Sequence, residues 1–154
     1  FNDYLNIWKH GDYISIYKDG MVKIFGRSDT TLNPGGVRIG TAEIYRVLDK
    51  VNYIEDSVVV GYKGNQDEYV ILFVKMDKEL NDKIIADIKN IIKLNCSPRH
   101  VPYKIFKIED IPYTINGKKV ELAVKNILEG KNVNNKDALS NPESLDFYKS
   151  IKIL

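Results

Sequence analysis

Cysteine is almost missing from this chain. Cys96 stands alone among 154 residues, so no intrachain disulfide can form and no CxxC or zinc pattern exists. Such usage suits a reducing compartment. Histidine is scarce too: His10 and His100 are far apart, and neither falls in a metal-ligand spacing. No charge of one sign dominates. The formal net charge is +2, which gives no gross footprint for a polyanion. Long hydrophobic runs are absent. Stretches such as "YVILFV" fall far short of the ~20 apolar residues that span a bilayer. No secretory signal pattern is present, and no internal repeat. The expectation is therefore a cytoplasmic protein without membrane or nucleic-acid partners. Hydrophobic content of 44% and charged content of 29% are those of an ordinary globular domain with room for a core. The chain opens at Phe1, without methionine and in mid-pattern, as a fragment of a longer protein does.

Glycine and proline punctuate what is there. "YISIYKDGMVKIFG" alternates apolar and polar residues around Asp19-Gly20, the grammar of a β-hairpin, since glycine accepts the positive φ of a tight turn. The loop "LNPGGVRIG" follows. A helix is expected from Thr41, a residue able to cap free N–H groups, with Glu43 at the positive end of the dipole. Ile44, Val47, Leu48 and Val51 form its apolar face. "DSVVVGYKG" and "EYVILFVKM" read as strands joined near Gly64-Asn65, the second apolar enough to be central in its sheet. Leu80, Ile84, Ile85, Ile88, Ile91 and Ile92 mark a second helix that stops before Pro98. "YKIFKI" is a third strand. After the loop "IPYTING", Val120, Ala123, Val124 and Ile127 make a last helix, ended by Gly130. The order predicts an α+β fold, a hairpin followed by a three-stranded sheet packed with helices. Beyond Gly130 lies a polar, then weakly apolar, extension that either docks or stays mobile.

Three constellations could carry chemistry. Asp12 and Arg27 flank the hairpin, which would bring them to the same end. A carboxylate there can accept from two ribose hydroxyls and a guanidinium can donate to ribose or phosphate, although an exposed salt bridge has the same spacing. Gly35 and Gly36 allow close backbone approach to a ligand, and Arg38 precedes a helix N-terminus, which favours anions; a plain turn with a solvated arginine fits equally. In "TINGKKVE", Gly117 lets a turn present Lys118, a compact cation able to stabilise charge developing at a phosphate. A solvated surface is the other reading, and the one given to Lys119. Two cations at the positive end of a helix are an electrostatic misfit. Cys96 and His100 are four apart, but Pro98 breaks any helix that would pair them.

The order of these signals is specific. "GDY", "IFGRSDTTLNPGGVRIGTAEIY" and "IPYTINGKKVE" together resemble the C-terminal end of the acyl-adenylate-forming enzymes, which include acyl-CoA synthetases, peptide-synthetase adenylation domains and luciferases. The resemblance covers residues 8 to about 128. "WKHGDY", "SPRHVPYKIF" and the tail phrase "LSNPESLDFY" look like the acetoacetyl-CoA synthetase branch, since the wider family usually ends soon after the lysine helix.

The resemblance implies a division of the chain. Residues 1–28 would be the tail of a large N-terminal adenylation domain, 29–130 a mobile C-terminal domain and 131–154 an extension. It also implies roles. Asp12 would bind the ribose of ATP with help from Arg27, Asp29 would be the hinge, and Arg38 would meet nucleotide phosphates. Gly35 and Gly36 would line the path of CoA, and Lys118 would be the adenylation lysine. Lys93 and Arg99 are candidates for the CoA phosphates. Thr30 departs from relatives that carry a second aspartate after the hinge. ATP, Mg2+ and CoA would serve the full-length enzyme and none would be required by the fragment. The partner would be its own N-terminal domain, which holds the acyl and adenine pockets, so the fragment would be inactive alone. Another short-chain acyl-CoA synthetase, of acetyl or propionyl type, would use the same lysine. A stand-alone nucleotide- or RNA-binding module has a superficially similar element order, but no strand carries the paired aromatics of such modules.

Overall fold

Successive residues of two adjacent strands divide between two hydrophobic cores. In β3 (Asp56–Lys63) and β4 (Glu68–Lys75), Val59, Val70, Leu72 and Val74 enter one core, while Val58, Val60, Ile71 and Phe73 enter the other. The period of two along a strand produces this division. It requires cover on both faces of the sheet, and the chain supplies it. The computed structural model describes residues 7, 10–65, 67–133 and 135–153, without the side chain of Phe25. Trp8 and Lys9 of the "WKHGDY" phrase lie outside the described residues.

The hairpin pairs β1 (Asp12–Ile16) with β2 (Val22–Arg27) in antiparallel register. Gly20, at φ 86°, makes the turn that the sequence predicts. The main sheet runs in the order β3-β4-β5, with β3 and β4 antiparallel and β5 (Lys104–Lys107) parallel to β4. Parallel pairing needs a long crossover, which α2 (Asp82–Asn95) provides. Asn81 caps α2 by accepting the Ile84 N–H at 3.0 Å. Central β4 is apolar almost throughout because both of its faces are buried.

Helix α1 (Thr41–Leu48) and α2 cover the first face through Ile44, Leu48, Ile88 and Ile92. Helix α1 starts where expected, but Thr41 does not cap it. Gly40 occupies the N-cap position and no side chain bonds there, so Thr41 is the first helical residue. Helix α3 (Glu121–Leu128) and the short α4 (Asp146–Lys149) cover the second face through Val124 and Tyr148.

The extension docks. Leu139, Leu145, Tyr148 and Ile153 are buried, and full burial of such a side chain contributes about 1.5–3 kcal/mol. The Tyr148 ring meets Phe73 edge-on at 5.0 Å between centroids, and Lys104 donates to the Ile153 carbonyl at 2.6 Å. Among the described residues no helix is long and apolar enough to cross a membrane.

Candidate functional site

The hairpin register sets Asp12 directly opposite Arg27, as the spacing requires. Asp12 Oδ2 lies 2.6 Å from His10 Nδ1. The Arg27 guanidinium turns instead to Asp29, donating from Nε to Oδ1 at 3.1 Å and from Nη2 to Oδ2 at 3.0 Å. This fork is the geometry that guanidinium and carboxylate share, and the hydrogen bonds from Arg27 hold the Asp29 carboxyl below its ordinary range. Arg38 stacks over the ring of Tyr13, its guanidinium carbon 4.3 Å from the centroid. Asp12, Arg27 and Arg38 therefore all associate with the open end of the hairpin.

The diglycine loop is fixed elsewhere. Gly35, at φ 59°, donates its N–H to both carboxylate oxygens of Asp67 at 2.8 and 2.9 Å. The Asn33 N–H donates to Glu68 at 2.7 Å. Arg99 closes over the loop, with Nη1 3.4 Å from the carbonyls of Pro34 and Gly35. A Cβ on Gly35 would lie 2.3 Å from that Nη1, a contact the flexible arginine can relieve by moving, so it is the positive φ that requires glycine here. At Gly36, with φ 75°, a Cβ would meet nothing within 4 Å; its demand is conformational alone. Neither Asp67 nor Arg99 is marked as a loop anchor by its position in the sequence, because both contacts are made only after folding.

The lysine loop has a tight frame. Thr114 N–H donates to the Lys118 carbonyl and Gly117 N–H to the Thr114 carbonyl, both at 2.8 Å. Thr114 Oγ1 accepts the Lys118 N–H at 3.1 Å. Lys118 itself is exposed. Lys119 is not the solvated lysine expected. Its ammonium lies 2.6 Å from Asp56 Oδ1, donates to the Ser57 carbonyl at 2.7 Å, and sits 4.5 Å from the centroid of Tyr45. Tyr113 donates to the other Asp56 oxygen at 2.7 Å. Burial, together with that bond, pushes the Tyr113 phenol well above its ordinary range. Consecutive residues of an extended segment point to opposite sides, so anchoring Lys119 inward turns Lys118 outward.

Tyr45 and Lys119 also satisfy the open edge of β3. The Val59 N–H donates to the Tyr45 hydroxyl at 3.1 Å, beside the Ser57 carbonyl taken by Lys119. The Tyr45 hydroxyl donates in turn to Glu121 at 2.6 Å. An edge strand left bare would be a template for association. Cys96 and His100 do not form a pair. Cys96 donates weakly to the Glu43 carbonyl at 3.7 Å, while buried His100 lies between Ser97 and Glu43 at 2.8 and 3.1 Å.

The two loops stand at opposite ends of one strand pair. Asp56, which anchors the lysine loop, begins β3, and Glu68, beside the diglycine loop, pairs with Lys63 at its far end. Seven residue steps at about 3.3 Å separate these ends by roughly 23 Å.

No family model matches the chain. Along its whole length it is 45% identical to the acetoacetyl-coenzyme A synthetase of Rhizobium meliloti, and over 95% of its length 49% identical to the acetoacetyl-CoA synthetase of Caenorhabditis elegans. The acetoacetyl-CoA synthetase of Streptomyces lividans superposes on 97% of the chain with a TM-score of 0.81 and 36% identity. The chain belongs to the acetoacetyl-CoA synthetase family. It corresponds to the C-terminal part of these proteins and spans about a quarter of their length, 24% and 22% of the two curated relatives and 23% of the Streptomyces chain. An acyl-CoA synthetase of Brucella canis matches 71% of the chain at 26% identity with a TM-score of 0.56, and that comparison covers 21% of its own length. The ATP-bound MatB of Rhodopseudomonas palustris, at 22% identity and a TM-score of 0.63 over 76% of the chain and 23% of its own, shares the fold.

Proposed function

We propose that this chain is the C-terminal part of a ligase that converts acetoacetate, ATP and CoA into acetoacetyl-CoA, AMP and pyrophosphate, and that it serves the two half-reactions with opposite ends of one sheet. The observation that carries this reading is the placement of the lysine loop and the diglycine loop, each rigidly anchored, roughly 23 Å apart along β3 and β4. One reaction centre cannot meet both ends in a single orientation. A domain rotation about Asp29 would bring them to it in turn, and a few loop residues can absorb such a change.

In the first orientation an acetoacetate carboxylate oxygen attacks the α-phosphorus of ATP and pyrophosphate leaves. Lys118, held outward by its anchored neighbour, would lie between the carboxylate and the phosphate and offset the negative charge of the transition state. Asp12 would hold the ribose hydroxyls, with Arg27 beside it. Arg38 would meet the nucleotide phosphates in this orientation. In the second orientation Lys118 is withdrawn and the chain at Gly35 and Gly36 lines the approach of CoA. The CoA sulfur, its proton lost, then attacks the acyl carbon and AMP leaves. Among the described residues there is no group of three or more His, Cys, Asp or Glu side chains that could hold a metal.

Residues 1–28 belong on this reading to the end of a preceding domain. The hairpin leaves Ile14, Ile16, Val22 and Ile24 half or more exposed, an apolar face that such a domain would cover. Acetoacetate as the acid rests on the relatives, and a cytoplasmic location, with its supply of ATP and CoA, goes with it. The test is Lys118→Ala in the full-length enzyme. Acetoacetate-dependent ATP–pyrophosphate exchange should fall by about 10²–10³-fold, the usual cost of losing one electrostatic stabiliser, while thioester formation from supplied acetoacetyl-adenylate survives. Equal loss of both halves would contradict the assignment.

A further inference from the structure

The lysine loop is held from two sides, and the second side is the extension. Residues 138–141 run antiparallel to residues 113–115, with Thr114 bridged to Leu139. Ile115 N–H donates to the Ala138 carbonyl at 3.0 Å and Ser140 N–H to the Tyr113 carbonyl at 2.9 Å. Asn141 completes the frame. Its Oδ1 accepts the Tyr113 N–H at 2.9 Å, and its Nδ2 donates to the Ile111 carbonyl at 2.9 Å and to Asp110 Oδ2. All the polar atoms of the amide are thus engaged on one loop, and only a side chain with both a carbonyl and an NH2 group can do this. Asp110 is in turn braced by Lys75 at 3.0 Å.

Behind this frame the extension is pinned by buried side chains. Leu139 and Leu145 pack with Ala123 of α3, and Tyr148 packs in the core beneath the sheet. Ser144, fully buried, donates back to the Asn141 carbonyl at 2.7 Å. The turn at Gly117-Lys118 therefore projects from a segment fixed to Asp56 on one flank and to Asn141 on the other.

We infer that Asn141 is a positioning residue for adenylation, and that the extension's role toward this loop is to fix the place of Lys118. The inference rests on the reading of Lys118 as the adenylation lysine. Its consequence is asymmetric between the half-reactions. Loosening the loop displaces a group needed only in the first, and a displacement of about 1 Å can cost up to about 10²-fold in rate. A merely stabilising extension would lower both half-reactions by one common factor, the fraction of enzyme lost.

The experiment uses the full-length enzyme. In N141A, kcat for acetoacetate-dependent pyrophosphate release should fall about 10- to 100-fold, with KM for ATP and acetoacetate little changed, because the lost interaction belongs to the transition state. Thioester formation from supplied acetoacetyl-adenylate should stay at the wild-type rate. Equal loss in both half-reactions, or loss in neither, overturns the inference. Lys118→Ala run alongside separates the two ideas: if it spares adenylation, the reading of Lys118 fails; if it abolishes adenylation while N141A is silent, only the role of Asn141 fails. Should N141A not fold, N141D sets a carboxylate against Asp110 and the Ile111 carbonyl and should show the adenylation defect, which N141D/D110N should relieve in part by exchanging donor and acceptor at position 110, the Ile111 carbonyl still lacking its donor. A double variant no better than N141D overturns the inference. Hydrogen exchange on the wild-type enzyme gives a reading that needs no variant: the Tyr113 and Ile115 amides should be protected, and exchange at open-loop rates would refute the frame.

Discussion

Replacing Lys119 by methionine keeps the length of the stem and removes only the charge and its donors. The structure allows the cost to be worked out. The ammonium is 2.6 Å from Asp56, and the two side chains are 22% and 23% exposed, between a surface pair worth about 0–1 kcal/mol and a buried pair whose breaking costs about 3–5 kcal/mol. A value near 2 kcal/mol follows, softened because Tyr113 still donates to Asp56. The contact over Tyr45 adds about 0.5–1 kcal/mol, for a total of about 2–3 kcal/mol. With a urea slope of about 2 kcal/mol/M for a chain of this size, the unfolding midpoint should drop by about 1–1.5 M. The control is the adjacent residue. Lys118→Met changes an exposed side chain and should stay within about 0.5 kcal/mol. Urea unfolding of the two variants, followed by circular dichroism, measures the difference. Equal midpoints for K118M and K119M would refute the division of the pair into one displayed and one anchored lysine.

Two further expectations concern the other loop and the tyrosines. Gly35→Ala forces an L-residue to φ 59° and pushes Arg99 from its place; the left-handed backbone alone costs about 1–2 kcal/mol, and in the full-length enzyme the KM for CoA should rise while ATP–pyrophosphate exchange is spared. An unchanged KM for CoA would remove the loop from the thioester half-reaction. Burial drives the Tyr148 phenol above its ordinary range, as it does for Tyr45 and Tyr113. A raised phenol keeps its proton in the folded state at a pH where the unfolded chain has lost it, so its stabilisation is full below about pH 10 and is lost as pH rises, at up to about 1.4 kcal/mol per pH unit for Tyr148. Urea midpoints measured upward from pH 9 should decline beyond pH 10, and a flat profile would show these rings to be solvated.

Much of this protein was legible in its sequence because the information is local. The hairpin follows from alternation around Asp19-Gly20, and its register then sets Asp12 opposite Arg27 with no help from the rest of the chain. The continuous apolar run in "YVILFV" announced a strand covered on both sides, and β4 is central. The helical spacing of isoleucines marked α2. Thr41 misled because capping depends on the backbone angles at one residue, and Gly40 takes that place.

The sequence by itself determined the elements, their order and the succession of glycines, arginines and lysine that resembles one enzyme family. Tertiary structure alone decided which of two adjacent lysines is displayed. In the chain, Lys118 and Lys119 differ by one position after Gly117; in the fold, Asp56 and the Ser57 carbonyl, distant in sequence, claim Lys119. It also decided that the polar tail is part of the domain. The apolar residues of the tail are too sparse to define a core by their own period, and they find one only against Phe73 and α3. Contacts between distant segments have no local signature, because the closing of a long loop is compensated only when the partner surface already exists.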